Sequence, residues 1–241
     1  TNYDPAQEYR QAQKLIEQGV DGLILVGRDH TPEMLEFLHR QQCPFVTTWT
    51  YSEASPLPCI GFDNIAASND VAEHLIALGH KNIGIIAGLT RGNDRARERI
   101  AGIENAMKQH HLTLKPQNII EQPYEVGAGR EGLRALLEAN SDTPLTAIFC
   151  GNDVLAIGAI LEAQQMGINI PADLSIVGFD DLPMAAHLPP GLTTVHVPSR
   201  RMGNEAAHYI MNCAAKNDVS HKTNLPTNLI VRGTTAPPRL R

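Results

Sequence analysis

Short apolar runs alternate with amphipathic stretches along nearly the whole chain. The runs at 22–26 (GLILV), 45–49 (FVTTW), 83–87 (IGIIA), 147–150 (AIFC) and 174–178 (LSIVG) are too uniformly apolar for half-exposed strands. Such runs mark strands buried on both faces, as in a parallel sheet. Between them, helical spacing of apolar residues predicts helices at 6–18, 32–42, 66–78, 97–109, 128–139, 154–166 and 201–213. Strands and helices in alternation, joined by short loops, imply right-handed crossovers and a doubly wound α/β protein.

End signals support these helices. Thr31 before Pro32 sets a capping hydroxyl ahead of proline at the first helical position, and Asn152-Asp153 opens another helix. Gly79 and Gly167 follow helices where a left-handed residue is needed. The rhythm breaks at the polar stretch 88–96 and again at 180–190. In the tail, 225–231 alternates like an edge or hairpin strand, and 234–241 is expected to fray.

Composition narrows the function. The 241 residues suit one large or two modest domains, and 42% hydrophobic residues suffice for a core. Twenty Lys and Arg against 26 Asp and Glu leave a net charge of −6, so these residues as a whole do not suit a phosphate-backbone binder. Cys43, Cys59, Cys150 and Cys213 show no Cys-x-x-Cys pair or zinc spacing, which suits reduced, packed thiols and a cytoplasmic protein. No apolar run reaches the roughly 20 residues of a membrane span. The chain opens on TNYDP without Met, and the expectation is that an upstream segment has been removed.

Catalytic and cofactor motifs are missing from the sequence. A dinucleotide site needs Gly-x-Gly-x-x-Gly between strand and helix, whereas only Gly88 and Gly92 follow 83–87 and only Gly27 follows 22–26. There is no P-loop, and no Gly-x-Ser-x-Gly elbow to activate a serine. The reading is therefore a non-enzyme with no cofactor. His74 and His80 do not share a helix face, and His110-His111 suit a helix end, so the histidines read as packed or surface residues rather than metal ligands.

Polar and aromatic residues do gather after strands, where open α/β sheets bind ligands. Trp49 ends one strand, Tyr124 follows another at 119–121, Asn152-Asp153 and Asp180-Asp181 follow two more, and Arg95, Arg97 and Arg99 follow 83–87. An aromatic face under a sugar ring, with Asp, Asn and Arg bonding its hydroxyls, makes a carbohydrate pocket. Each residue also has a plain structural reading. Trp49 could fill a core gap, Asn152 or Asp153 could be only a cap, Asp180 could be a loop residue, and at least two of the three arginines could be solvated helix-face charges.

The segments LIEQGVDGLIL (15–25), FDN (62–64), HLIALGH (74–80), RIAG (99–102), AIFCGNDVLAIGA (147–159), GINIPADLSIVGFDD (167–181) and PGLTTV (190–195) together resemble the effector-binding region of lactose-repressor/galactose-repressor (LacI/GalR) transcriptional regulators. The resemblance runs the whole length of the chain. It implies two Rossmann-like lobes with parallel sheets joined by three crossovers, a type I periplasmic-binding-protein-like fold. The lobes would be 1–88 plus 197–225, incomplete at its start, and 91–196 plus 227–241. It further implies a homodimer, a small-molecule effector (sugar, sugar acid or phosphorylated sugar) in the inter-lobe cleft, and operator DNA bound through an N-terminal helix-turn-helix head outside this chain. Matched position by position, Arg99, Asn152, Asp180 and Tyr124 fall on effector-contacting positions. Trp49 lies where many members carry Asp, and Arg95 completes the expected set. The three arginines add an attraction toward a sugar acid. The alternative is a periplasmic sugar-binding protein of a transporter.

Overall fold

The computed structural model describes residues 1, 3–217 and 220–239. The chain divides into two compact units, the first comprising Thr1–Asn64, Arg91–Arg95 and Pro198–Pro226, the second Ile65–Thr90, Ala96–Val197 and Thr227–Arg241.

Unit 1 contains α1 (Pro5–Glu17), β1 (Leu23–Val26), α2 (Pro32–Arg40), β2 (Phe45–Thr48), β3 (Cys59–Gly61), α7 (Ser199–Ala214) and β9 (Lys222–Asn224). Its four-stranded sheet, in the order β1-β2-β3-β9, is parallel throughout. Asp4 caps α1 by accepting the Ala6 amide at 2.9 Å, and Thr31 caps α2 by accepting that of Met34 at 3.2 Å. Leu23 and Phe45 pack with Ala12, Met34 and Leu38 of the two helices. The run at 22–26 is not buried on both faces as expected. β1 is an edge strand, leaving Ile24 and Val26 48% and 54% exposed. Hydrophobicity alone does not separate an edge strand from a central one.

Unit 2 contains α3 (Asn64–Ala77, of which Asn64 groups with unit 1), β4 (Ile83–Gly88), α4 (Asp94–Gln109, from Ala96), β5 (Ile119–Gln122), α5 (Val126–Ala139), β6 (Ala147–Cys150), α6 (Asp153–Gln165), β7 (Ser175–Asp180), β8 (Thr193–His196) and β10 (Asn228–Ile230). The sheet order is β10-β8-β7-β6-β4-β5, all parallel except β10, which runs antiparallel to β8 at the edge. Ile86, Ile148 and Ile176 face Leu133, Leu136, Leu155 and Ala159 of α5 and α6. Gly79 and Gly167 close α3 and α6 at φ +100° and +73°, where a side chain would be strained.

Two expectations need correction. Residues 65–88 belong with the second unit, because β4 is hydrogen-bonded between β5 and β6. The tail from 234 is anchored rather than fraying. Thr234 is fully buried and accepts the Thr193 amide, and the Ala236 carbonyl accepts from Ser175 and from His80 Nε2. Leu240 and Arg241 lie outside the described residues.

Candidate functional site

In unit 2, four of the expected residues stand at the carboxyl edge of the sheet. Arg99, on α4, is 5% exposed. One of its guanidinium nitrogens donates to the Gly151 carbonyl at 2.6 Å, and its central carbon lies 3.7 Å from the centre of the Phe179 ring. This seat, a carbonyl on one side and an aromatic face on the other, holds a buried cation in place. Asp180 ends β7 with φ +114°. One of its carboxylate oxygens is buried without a hydrogen-bond partner. Burial pushes its pKa up to about 6, against the pull of Arg99 and with the push of Asp153.

Tyr124, half-buried, packs on the end of β4. A Cβ on Gly88 would lie 2.2 Å from the tyrosine ring and hydroxyl, so the bare backbone there is what lets the ring sit. A Gly88→Ala variant should fold with less than about 1 kcal/mol of stability lost, because the half-buried ring can swing aside. A structure of that variant would show Tyr124 displaced if this contact positions it. Asn152 caps α6, its side-chain oxygen accepting the Leu155 amide at 2.9 Å. Its amide nitrogen and the second lone pair of that oxygen are left for a ligand. Asn152→Ala should lose about 1 kcal/mol in thermal unfolding through the cap alone.

Trp49 and Arg95 lie in unit 1, also after strands. Trp49 follows β2 at φ +64°, an outlying conformation for so large a residue. Its N–H donates to the Met202 sulfur at 3.2 Å, its carbonyl accepts from buried Asn64 at 2.9 Å, and its ring meets Phe62 edge-on at 6.3 Å. Arg95 is buried at 7% exposure and pairs with Asp94 at 2.8 Å. It borders a cavity of about 460 Å³ along β1, lined also by Tyr3, Glu8, Asp29 and Leu25. The plain reading of at least two solvated arginines among Arg95, Arg97 and Arg99 does not hold, since Arg95 and Arg99 are buried. Only Arg97 is exposed, bonding the Thr90 carbonyl, because α4 starts at Asp94 and turns 95 and 99 inward.

The sequence offers Asp153 as a candidate beside Asn152 after a strand or as a helix cap, and its side chain is wholly buried. Its oxygens accept the Thr194 hydroxyl at 2.5 Å and the Leu182 amide at 2.7 Å. Burial raises its pKa to about 6 despite these bonds. Neighbouring Asp181 accepts from Arg232 at 2.7 Å and His196 at 2.9 Å; burial opposes its charge, but these partners hold it below the usual carboxylate value. Among the described residues no group of three or more His, Cys, Asp or Glu could hold a metal, and no helix is long and apolar enough to cross a membrane.

Residues 72–235 match a family model described as a periplasmic binding protein-like domain. The chain is 33% identical over 243 residues to the HTH-type transcriptional regulator DegA of Bacillus subtilis (strain 168), covering 98% of this chain and 70% of that protein. It spans about two thirds of the length of the curated relatives it matches. Among solved structures, the transcription regulator GntR of Chromobacterium violaceum superposes with a TM-score of 0.89 at 28% identity, covering 97% of this chain and 85% of that one. A LacI family transcriptional regulator from Mycobacterium smegmatis gives 0.83 at 28% identity, covering 98% and 86%. These relatives are transcriptional regulators, not enzymes or transporter components. With a relative of this identity along nearly its whole length and a matching family model over residues 72–235, the chain belongs to the LacI family of transcriptional regulators.

Proposed function

We propose that the chain is the effector-sensing and dimerisation part of a cytoplasmic regulator and takes a hydroxyl-rich small molecule of the sugar class. Tyr124, Arg99, Asn152 and Asp180, all of unit 2, would contact it. The observation that carries this reading is Asp180, whose buried carboxylate oxygen lacks a partner beside a seated arginine. A buried unpaired acceptor is expensive to maintain, and a ligand hydroxyl satisfies it.

Charge shifts the reading within the sugar class. In unit 1 Asp94 is shared by Arg95 and Arg28, Arg97 is exposed, and in unit 2 Arg99 stands with Asp180, so beside the orphaned carboxylate oxygen no cationic surplus favours a sugar acid. A neutral sugar fits one cation and one carboxylate better than a carboxylate or phosphate does. In the whole regulator, occupancy would shift operator affinity by the difference in ligand affinity between two states, acting on a DNA-binding head outside this chain.

Calorimetric titration with D-glucose, D-ribose and cellobiose against D-gluconate and glucose 6-phosphate tests the ligand class. Binding of a neutral sugar supports the proposal, and binding of the anions alone overturns it. Sedimentation of the full-length regulator as a strict monomer would reject the dimer.

A further inference from the structure

Asp153 lies outside the ligand-contacting set, yet the turn that carries Asp180 is tied to it by two routes. Its Oδ2 accepts the Leu182 amide directly at 2.7 Å. Its Oδ1 accepts the Thr194 hydroxyl at 2.5 Å, and the oxygen of that hydroxyl in turn accepts the Asp181 amide at 3.4 Å. A hydroxyl has one proton to give and lone pairs to receive, so Thr194 can relay the carboxylate's hold to the backbone. The two amides immediately after Asp180 are thus held by one carboxylate.

The route to Thr194 passes over β7 at Gly178, which pairs with Thr194 in register. A Cβ on Gly178 would lie 2.2 Å from Asp153 Oδ1. Glycine here leaves the gap through which a side chain from the start of α6 reaches across one strand to the next. The segment so held is strained, with Asp180 at φ +114° and Asp181 at φ +56°. Residues in such conformations persist only where their surroundings over-determine them.

We propose that Asp153 is the positioning residue for Asp180, holding the β7–β8 turn in the strained conformation that keeps the Asp180 carboxylate buried beside Arg99. The inference rests on the reading of Asp180 as a ligand contact, but its test needs no ligand. Asp153 also faces Asp180 and Asp181 as like charges and Cys150 from the end of β6, while Arg99 pulls on Asp180 and Arg232 and His196 compensate Asp181.

The experiment uses the 241-residue chain with aspartate labelled at the carboxyl carbon, comparing wild type with Asp153→Asn and Thr194→Val. Asparagine preserves the shape, but its single oxygen cannot accept from the Leu182 and Thr194 sides at once, and its Nδ2 cannot accept at all. Valine preserves the shape of Thr194 and removes the relay, and it carries the test if the first variant does not fold. In Asp153→Asn at least one of the Asp181 and Leu182 amides should exchange about tenfold faster, with Ile86 and Phe149 unchanged, and the Asp180 carboxyl should titrate at lower pH. In Thr194→Val the Asp181 amide should exchange severalfold faster. Unchanged exchange at 181 and 182, or an Asp180 titration that stays in place in Asp153→Asn, overturns the proposal. Failure of sugar binding with these effects present would instead count against the ligand role of Asp180.

Discussion

Asp180→Asn is expected to make the protein more stable at pH 7 and its ligand binding at least about thirtyfold weaker. The folded-state pKa of Asp180 is raised to about 6, above the roughly 3.9 of a free aspartate. A folded state that holds the proton more tightly than the unfolded chain gains stability at low pH and loses it as pH climbs through about 6. At pH 7 the buried carboxylate is charged and short of a partner, and the shift already includes the attraction of Arg99. Allowing for its partial exposure, removing that charge should return about 1–2 kcal/mol. The gain should vanish below about pH 4, where aspartate is protonated in both states. Binding suffers because an amide cannot accept a ligand hydroxyl as a carboxylate does, a loss of about 2 kcal/mol or more. Urea unfolding between pH 4 and 8, with calorimetry on a sugar the wild type binds, checks both halves. An unchanged affinity would remove Asp180 from the site.

Gly158→Val should produce the largest loss of stability, roughly 3–4 kcal/mol. The helices α5 and α6 approach backbone to backbone. A Cβ on Gly158 would lie 2.1 Å from the Val126 carbonyl, and one on Gly129 would lie 2.3 Å from that of Leu155. Neither clash can be relieved by turning a flexible side chain. The helices are also pinned together by Arg130 and Arg134, which grip Glu162 at 2.8 and 2.5 Å. Gly203 on α7 is the control, since nothing lies within 4 Å of its would-be Cβ. Gly203→Ala should gain up to about 1 kcal/mol from helix propensity. A Gly158→Val loss below 1 kcal/mol in urea unfolding would mean that the two helices separate freely.

Much of this architecture was legible because buried parallel strands leave continuous apolar runs, and the runs at 83–87, 147–150 and 174–178 mark β4, β6 and β7. The strands β3 and β9 are only three residues each, and Lys222–Asn224 is polar, so no period could develop. Burial by tertiary contact was also hidden. The sequence offers Arg95 and Arg99 as candidate contacts without showing their burial, which comes from the contacts with Asp94, Gly151 and Phe179. The cap at Asn152 was local and visible. The hold of Asp153 was not, because Leu182 and Thr194 lie 29 and 41 residues away in sequence.

Trp49 is the single tryptophan of the chain, and its backbone is fixed within unit 1 by Met202 and Asn64. Its emission therefore reports the melting of one unit, whereas circular dichroism averages helices from both. Gly158→Val, placed in the other unit, turns that asymmetry into a measure of cooperativity. If indole emission and helix content fall together in the variant, the crossing chain makes the two units a single thermodynamic object. If the helix signal falls first, each unit carries its own melting transition, and one can lose its structure while the other keeps it.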